Sequence, residues 1–154
     1  MNTKWKVRFL KLAKEISEWS KDPSTKVGAI AVDPESRRIL STGYNGFPSG
    51  VEDTEERLQN RELKYALTIH AELNCILNAV KNGVSLNGSY IFVWGLPVCS
   101  ECAKSLIQIG VKQVYWSVQD KSKIANKWAT STQLSETLFS ESNVGMTVSF
   151  VELN

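Results

Sequence analysis

One histidine, three cysteines, four prolines and nine glycines are all that 154 residues contain of these four types. Glycine and proline this sparse, with 42% hydrophobic and 22% charged residues, exclude collagen-like, low-complexity and disordered architectures. Three cysteines cannot all pair within one chain, so a disulfide scaffold is excluded, and in a reducing compartment such thiols serve as ligands, nucleophiles or buried hydrophobes. Charge of one sign is lacking too. The net charge is +2 and no basic run appears, which disfavours nucleic acid as a partner and favours a small ligand. The longest apolar stretch, Tyr90 to Cys99, is interrupted by Gly95 and Pro97 and falls well short of the ~18 residues that span a bilayer. Lys4, Lys6, Arg8 and Lys11 break up any signal-peptide core at the N-terminus. A cytoplasmic chain folding as one domain, with no membrane partner, is the expectation.

Apolar periodicity then supplies the elements. Trp5, Phe9, Leu12, Ala13, Ile16 and Trp19 recur at three- or four-residue spacing and predict a helix ending before Asp22-Pro23. Val27 to Asp33 and Arg38 to Tyr44 read as a hairpin around Asp33-Pro34-Glu35-Ser36. The segment from Asp53 to Arg61 is compatible with a lid, a short helix or a loop. Ile69, Leu73, Ile76, Leu77 and Val80 mark a second helix, closed by Asn82-Gly83. Ser89 to Trp94 reads as a buried strand, Cys99 to Ile109 as a helix ended by Gly110, and Val111 to Val118 as another strand. A helix over 129–140 and a strand over 147–151 complete the chain. Alternation of strands and helices after residue 69 favours parallel pairing, whereas the opening hairpin is antiparallel. The expected fold is therefore α/β: a mixed sheet of about five strands with helices on both faces.

His70 stands in His70-Ala71-Glu72, and a lone histidine on an apolar helix is commonly structural. The reading changes beside Pro97-Val98-Cys99-Ser100-Glu101-Cys102. Cysteines three apart at a helix start lie on nearly one face, with both sulfurs near the positive end of the helix dipole, which favours thiolate, the metal-binding form. One His and two Cys suit Zn²⁺ with a fourth tetrahedral position left open, as in a catalytic site. Cys75, five residues beyond His70, is about 140° round the helix and points away. Glu72 sits two residues from His70, a spacing that mid-helix places side chains on opposite faces; both converge on one ion only if His70 lies at the helix mouth. Otherwise Glu72 is a surface acid in a first turn.

These residues match the H-x-E and P-C-x-x-C signature of zinc-dependent nucleobase deaminases, with Val98 inserted between proline and the first cysteine. Within that superfamily the chain resembles the deoxycytidylate (dCMP) deaminases over most of its length. The segments that carry the resemblance are Trp19 to Ala29, Gly43-Tyr44-Asn45-Gly46-Phe47-Pro48, His70 to Asn74, and Cys99 to Lys104 running on to Val111. The resemblance implies a three-layer cytidine-deaminase-like fold, zinc on His70, Cys99 and Cys102, and a homo-oligomer, often a hexamer. It also implies conversion of dCMP to dUMP and ammonia, with a zinc-bound hydroxide attacking C4 and Glu72 shuttling protons. Part of that family responds to dCTP and dTTP, which makes those nucleotides candidate effectors. Trp116 stands where the family often has Tyr or Phe.

Asn45 matches a family asparagine that contacts sugar and base; a turn role is its alternative. A 5′-phosphate requires a cation or a group of donors, for which Ser24, Lys26, Arg61 and Lys64 are candidates. Lys26 and Ser24 are favoured because their segment carries much of the resemblance. Two other functions remain open on the residues alone: a deaminase of another cytosine nucleoside, nucleotide or RNA base, and a non-catalytic zinc-containing module that binds nucleotides.

Overall fold

In the computed structural model, residues 1–118 and 126–149 are described. They form helix α1 (Thr3–Ser17), strands β1 (Gly28–Val32) and β2 (Ile39–Tyr44), helices α2 (Glu55–Gln59), α3 (Arg61–Leu67) and α4 (Ala71–Lys81), strand β3 (Tyr90–Trp94), helix α5 (Ser100–Gln108), strand β4 (Gln113–Ser117), helix α6 (Asn126–Glu141) and strand β5 (Gly145–Ser149). The sheet order is β2-β1-β3-β4-β5. β1 is antiparallel to both its neighbours, and β3, β4 and β5 run parallel. The mixed five-stranded sheet expected from the sequence is the one observed.

Strand alternation sorts the core into two layers. Ile30, Val32, Phe92, Trp94 and Tyr115 face α1 and meet Phe9, Leu10, Ala13 and Ile16. Phe92 bridges that layer, with ring centroids 5.2 Å from Phe9 and 4.7 Å from Tyr115. Ala29, Ala31, Ile91, Val93, Val114 and Trp116 face the opposite side, where α4 and α5 pack and α6 contributes Phe139. Burying a Leu or Phe side chain contributes about 1.5–3 kcal/mol, so both layers matter to stability.

Small residues bring α4 close to the sheet. A Cβ at Gly43 in β2 would run into the backbone of Ala71 and Cys75. α4 accordingly buries Ala71, Cys75, Ile76 and Ala79, while Leu77 and Val80 of the expected apolar stripe are 44% and 69% exposed. Close approach selected the small face of the helix over the large one. The expected stripe of α1 also ends early: the helix stops at Ser17, so Trp19 falls off its period, is 58% exposed and lies edge-on to Tyr44.

The segment left open between lid, helix and loop is helical. Thr54 Oγ1 accepts from Arg57 N at 3.3 Å to start α2, and Asn60 Oδ1 accepts from Leu63 N at 3.1 Å to start α3. α6 begins and ends a little beyond its expected limits, and β5 starts earlier than expected; the expected end of that strand, at 150–151, lies outside the described residues. Among the described residues no helix is long and apolar enough to cross a membrane.

Candidate metal centre and substrate cavity

Two helix N-termini meet at one point. His70 is the N-cap of α4, with extended φ −66° and ψ 153°, so the 100° helical step does not separate it from Glu72, the second helical residue. Cys99 is the N-cap of α5, and its sulfur accepts from Cys102 N at 3.4 Å. Both helices thus present the positive ends of their dipoles to the groups that gain by being anionic, the thiolates and the carboxylate. Cys75 is buried in the core layer, away from this cluster.

The donor set fits zinc. His70 Nδ1 lies 3.4 Å from Cys99 Sγ and 3.5 Å from Cys102 Sγ, and the three ligand atoms lie within 4.8 Å of one another. A tetrahedral Zn²⁺ with Zn–S of about 2.3 Å and Zn–N of about 2.0–2.1 Å sets sulfur and nitrogen roughly 3.5 Å apart. His70 is exposed, Cys99 half-buried and Cys102 buried, so the cluster is sealed beneath and open toward a cavity.

Electrostatics agree with that geometry. The hydrogen bond from Cys102, and after it the contact with His70, hold the Cys99 thiol down at about 4, while the same contact with Cys99 and burial push the Cys102 thiol up. His70 is raised, first by its bond to Cys99. Burial pushes the Glu72 carboxyl up to about 7. Glu72 is only 4% exposed and lines the cavity, so the surface-acid alternative does not describe it.

The far end of the cavity is built differently. Lys64 of α3 brings Nζ to 3.0 Å from Asp22 Oδ1 and 3.3 Å from Ser24 Oγ, and both partners of the Asp22–Lys64 pair are nearly buried. Asp22 Oδ1 also accepts from Ser24 N at 2.8 Å and Thr25 N at 3.1 Å. Lys64 supplies the cavity's only lysine or arginine among the described residues.

The sequence-favoured cation goes elsewhere. Thr25 and Val27 line the cavity, and Lys26 between them is turned outward, with Nζ 3.6 Å from Glu18 Oε2 at the surface. Arg61 is also outside the cavity lining, over the Tyr65 ring at 5.5 Å. Ser24 is outside the cavity lining and touches the site through Lys64 and Asp22. Asn45 lines the cavity and is 7% exposed; its Oδ1 accepts from Val27 N at 2.9 Å and its Nδ2 donates to Thr25 O at 2.9 Å. Its φ is not positive, so no left-handed turn requires an asparagine there. The sequence reading passed over Asp22 and two residues of α6, Ser131 and Thr132, that complete the wall. In the sequence Asp22-Pro23 reads as a helix boundary inside the Trp19 to Ala29 segment, with no role assigned to its carboxylate.

Comparison with known proteins places this geometry. The family profile described as the cytidine and deoxycytidylate deaminase zinc-binding region matches residues 3–118. An uncharacterised deaminase of Aliivibrio fischeri is 40% identical over 147 residues, covering 96% of this chain and 95% of that protein. The deoxycytidylate deaminase of Mus musculus is 40% identical over 115 residues, 71% of this chain and 62% of that enzyme. The chain thus spans about three fifths of the matched animal enzyme's length. The crystal structure of dCMP deaminase from the cyanophage S-TIM5, in complex with dCMP and dUMP, superposes with a TM-score of 0.74 at 27% identity, covering 97% of this chain and 99% of that one. With the profile spanning both the His70-Ala71-Glu72 and Cys99-Ser100-Glu101-Cys102 segments, the chain belongs to the zinc-binding cytidine and deoxycytidylate deaminase family.

Proposed function

We propose that the chain hydrolyses dCMP to dUMP and ammonia, with His70, Cys99 and Cys102 holding zinc and Glu72 as the catalytic acid–base. The observation that carries the reading is the buried Glu72 carboxyl at the mouth of α4, beside a three-donor cluster that leaves a tetrahedral corner free. A purely structural zinc site has no use for that acid. A zinc ion held there supplies the Lewis acidity that turns water into a nucleophile at neutral pH. Two thiolates offset much of the ion's charge, which leaves more of the proton removal to Glu72.

Glu72 takes the proton of the attacking water as oxygen joins C4 and passes it to N3; it then carries the proton of the new C4 hydroxyl to the exocyclic amine, which departs as ammonia as the C4–N bond breaks and the C4 carbonyl forms. A carboxyl lifted toward neutrality by burial is suited to accept and return a proton at each turn. Asn45 retains one amide hydrogen and one lone pair beyond its two backbone bonds, enough to contact sugar and base. Lys64 retains one N–H beyond Asp22 and Ser24, and we assign it, with Ser24, to the 5′-phosphate in preference to Lys26.

Support for dCMP comes from relatives named deoxycytidylate deaminase and from the dCMP and dUMP bound in the cyanophage enzyme. The reading requires reduced Cys99 and Cys102, a condition the cytoplasm maintains. It extends to a homo-oligomer, with dCTP and dTTP as candidate effectors; light scattering, and rates with each nucleotide added, check those two points.

The deciding experiment follows ultraviolet absorbance with dCMP, CMP, deoxycytidine and cytosine in parallel, with and without a chelator, alongside elemental analysis. One zinc per chain, fastest loss of dCMP and silence after chelation are expected. Stoichiometric zinc without turnover of any of the four overturns the enzymatic reading, and preference for deoxycytidine or cytosine overturns the nucleotide.

A further inference from the structure

The family match ends at residue 118, yet the Cys99-Val98 side of the metal centre is fastened to α6, beyond that limit. The first N–H groups of any helix lack partners inside it. At α5, Cys102 N is taken by Cys99 Sγ, and Ser100 N donates to Ser131 Oγ at 3.0 Å. Ser131 Oγ also lies 3.3 Å from Ser100 Oγ. One turn further along α6, buried Ser135 places its Oγ 2.8 Å from Val98 O and 2.9 Å from Ser131 O. Two hydroxyls of one helix therefore grip the residues on either side of Cys99, at a sequence distance that no motif spans.

We infer that Ser131 is a positioning residue for the metal centre: by accepting the Ser100 N–H it fixes the backbone that aims Cys99. The inference rests on the zinc reading given above and on nothing about the substrate. Without the hydroxyl, the half-buried Ser100 N–H would have to turn toward water, and the adjoining Cys99 would turn with it. Because Ser131 also lines the cavity, the same contact ties the shape of the substrate wall to the geometry of the ligand.

The test measures zinc release from the holoprotein to an excess of chelator, well below the melting temperature, together with the visible spectrum of the cobalt-substituted protein. Ser131→Ala is expected to speed release about tenfold, at the lower end of what loss of a group supporting a metal ligand produces, and to change the cobalt bands. Ser131→Thr, which keeps the hydroxyl, should restore both. Gln133→Ala, on the exposed side of the same helix, should alter neither. Ser100→Pro removes the donor instead, at a first helical position that tolerates proline. It should also speed release, and adding Ser131→Ala to it should have little further effect. This second route keeps the question decidable if Ser131→Ala alone folds poorly. Unchanged release in Ser131→Ala, or failure of threonine to restore it, overturns the inference while the zinc reading stands. A wild-type protein without zinc overturns both.

Discussion

The two ends of the cavity are made of different physics. At one end, His70, Glu72, Cys99 and Cys102 sit at or within three residues of the mouths of α4 and α5, with α6 bracing the backbone on either side of Cys99. At the other, Lys64 and Asp22 are 42 residues apart and hold each other as a nearly buried ion pair. The first arrangement is local in its choice of side chains, which two helix dipoles reinforce, and long-range only in the α6 brace on Cys99. The second depends on the whole fold bringing α3 against the loop after α1. A reacting end built on rigid helix mouths and a recognition end built on a long-range pair should respond to substitution in different currencies: rate at the first, stability and selectivity at the second.

The largest effect is expected at the reacting end. Glu72→Gln keeps the shape and removes the proton carrier, so kcat for dCMP should fall by about 10²–10⁴, the range that a general acid–base contributes, while zinc content stays near one per chain. Elemental analysis beside the rate assay checks this. Loss of zinc would mean that the carboxyl belongs to the ligand set, and retained turnover would remove it from the chemistry.

Lys64→Met comes next and probes the recognition end. It leaves Asp22 buried with only the Ser24 and Thr25 N–H groups, and breaking a buried pair costs about 3–5 kcal/mol. Chemical denaturation should register that loss. Among molecules that remain folded, kcat/KM for dCMP should fall at least tenfold more than for deoxycytidine, since a phosphate contact matters only to the nucleotide. Equal losses on both substrates would leave Lys64 purely structural.

The same contrast explains what the sequence disclosed. Cys99-Ser100-Glu101-Cys102 is readable because spacing within a turn of helix decides where its side chains go, and His70-Ala71-Glu72 because it matches a signature whose spacing works at a helix mouth, where His70 sits. The layered sheet was readable from strand periodicity and from the change to strand–helix alternation after residue 69. The Asp22–Lys64 pair was not, because nothing local distinguishes a lysine that will be buried from one that stays in water. Ser131 escaped notice for the same reason, being tied to Ser100 across 31 residues. Leu77 and Val80 misled in another way: apolar periodicity finds large side chains, whereas Gly43 demands the small face of α4.

That last point gives a third variant, one that acts on the seat of the reacting end without touching its chemistry. Gly43→Ala forces β2 and α4 apart where Ser41 Oγ donates to Cys75 O at 2.7 Å and Asn78 Nδ2 to Thr42 O at 2.7 Å. A loss of about 1–3 kcal/mol in unfolding free energy is expected, the usual range for overpacking. Because α4 carries His70 and Glu72 at its mouth, kcat should drop along with stability; a stable, fully active Gly43→Ala protein would mean that the close approach is dispensable.

Lys26→Ala should do least, and it bears most directly on which lysine serves the recognition end. Lys26 is 41% exposed at its side chain, and its partner Glu18 is 60% exposed at 3.6 Å, so an ion pair in that position contributes well under 1 kcal/mol. Thr25 and Val27 line the cavity on either side of it, while Lys26 itself is exposed outside the lining. Changes within about twofold are expected on both dCMP and deoxycytidine, and therefore no change in their ratio. A selective loss on dCMP would mean that the loop rotates on binding, exchanging Lys26 for its neighbours; the phosphate would then belong to Lys26, and Lys64 would serve only to hold Asp22.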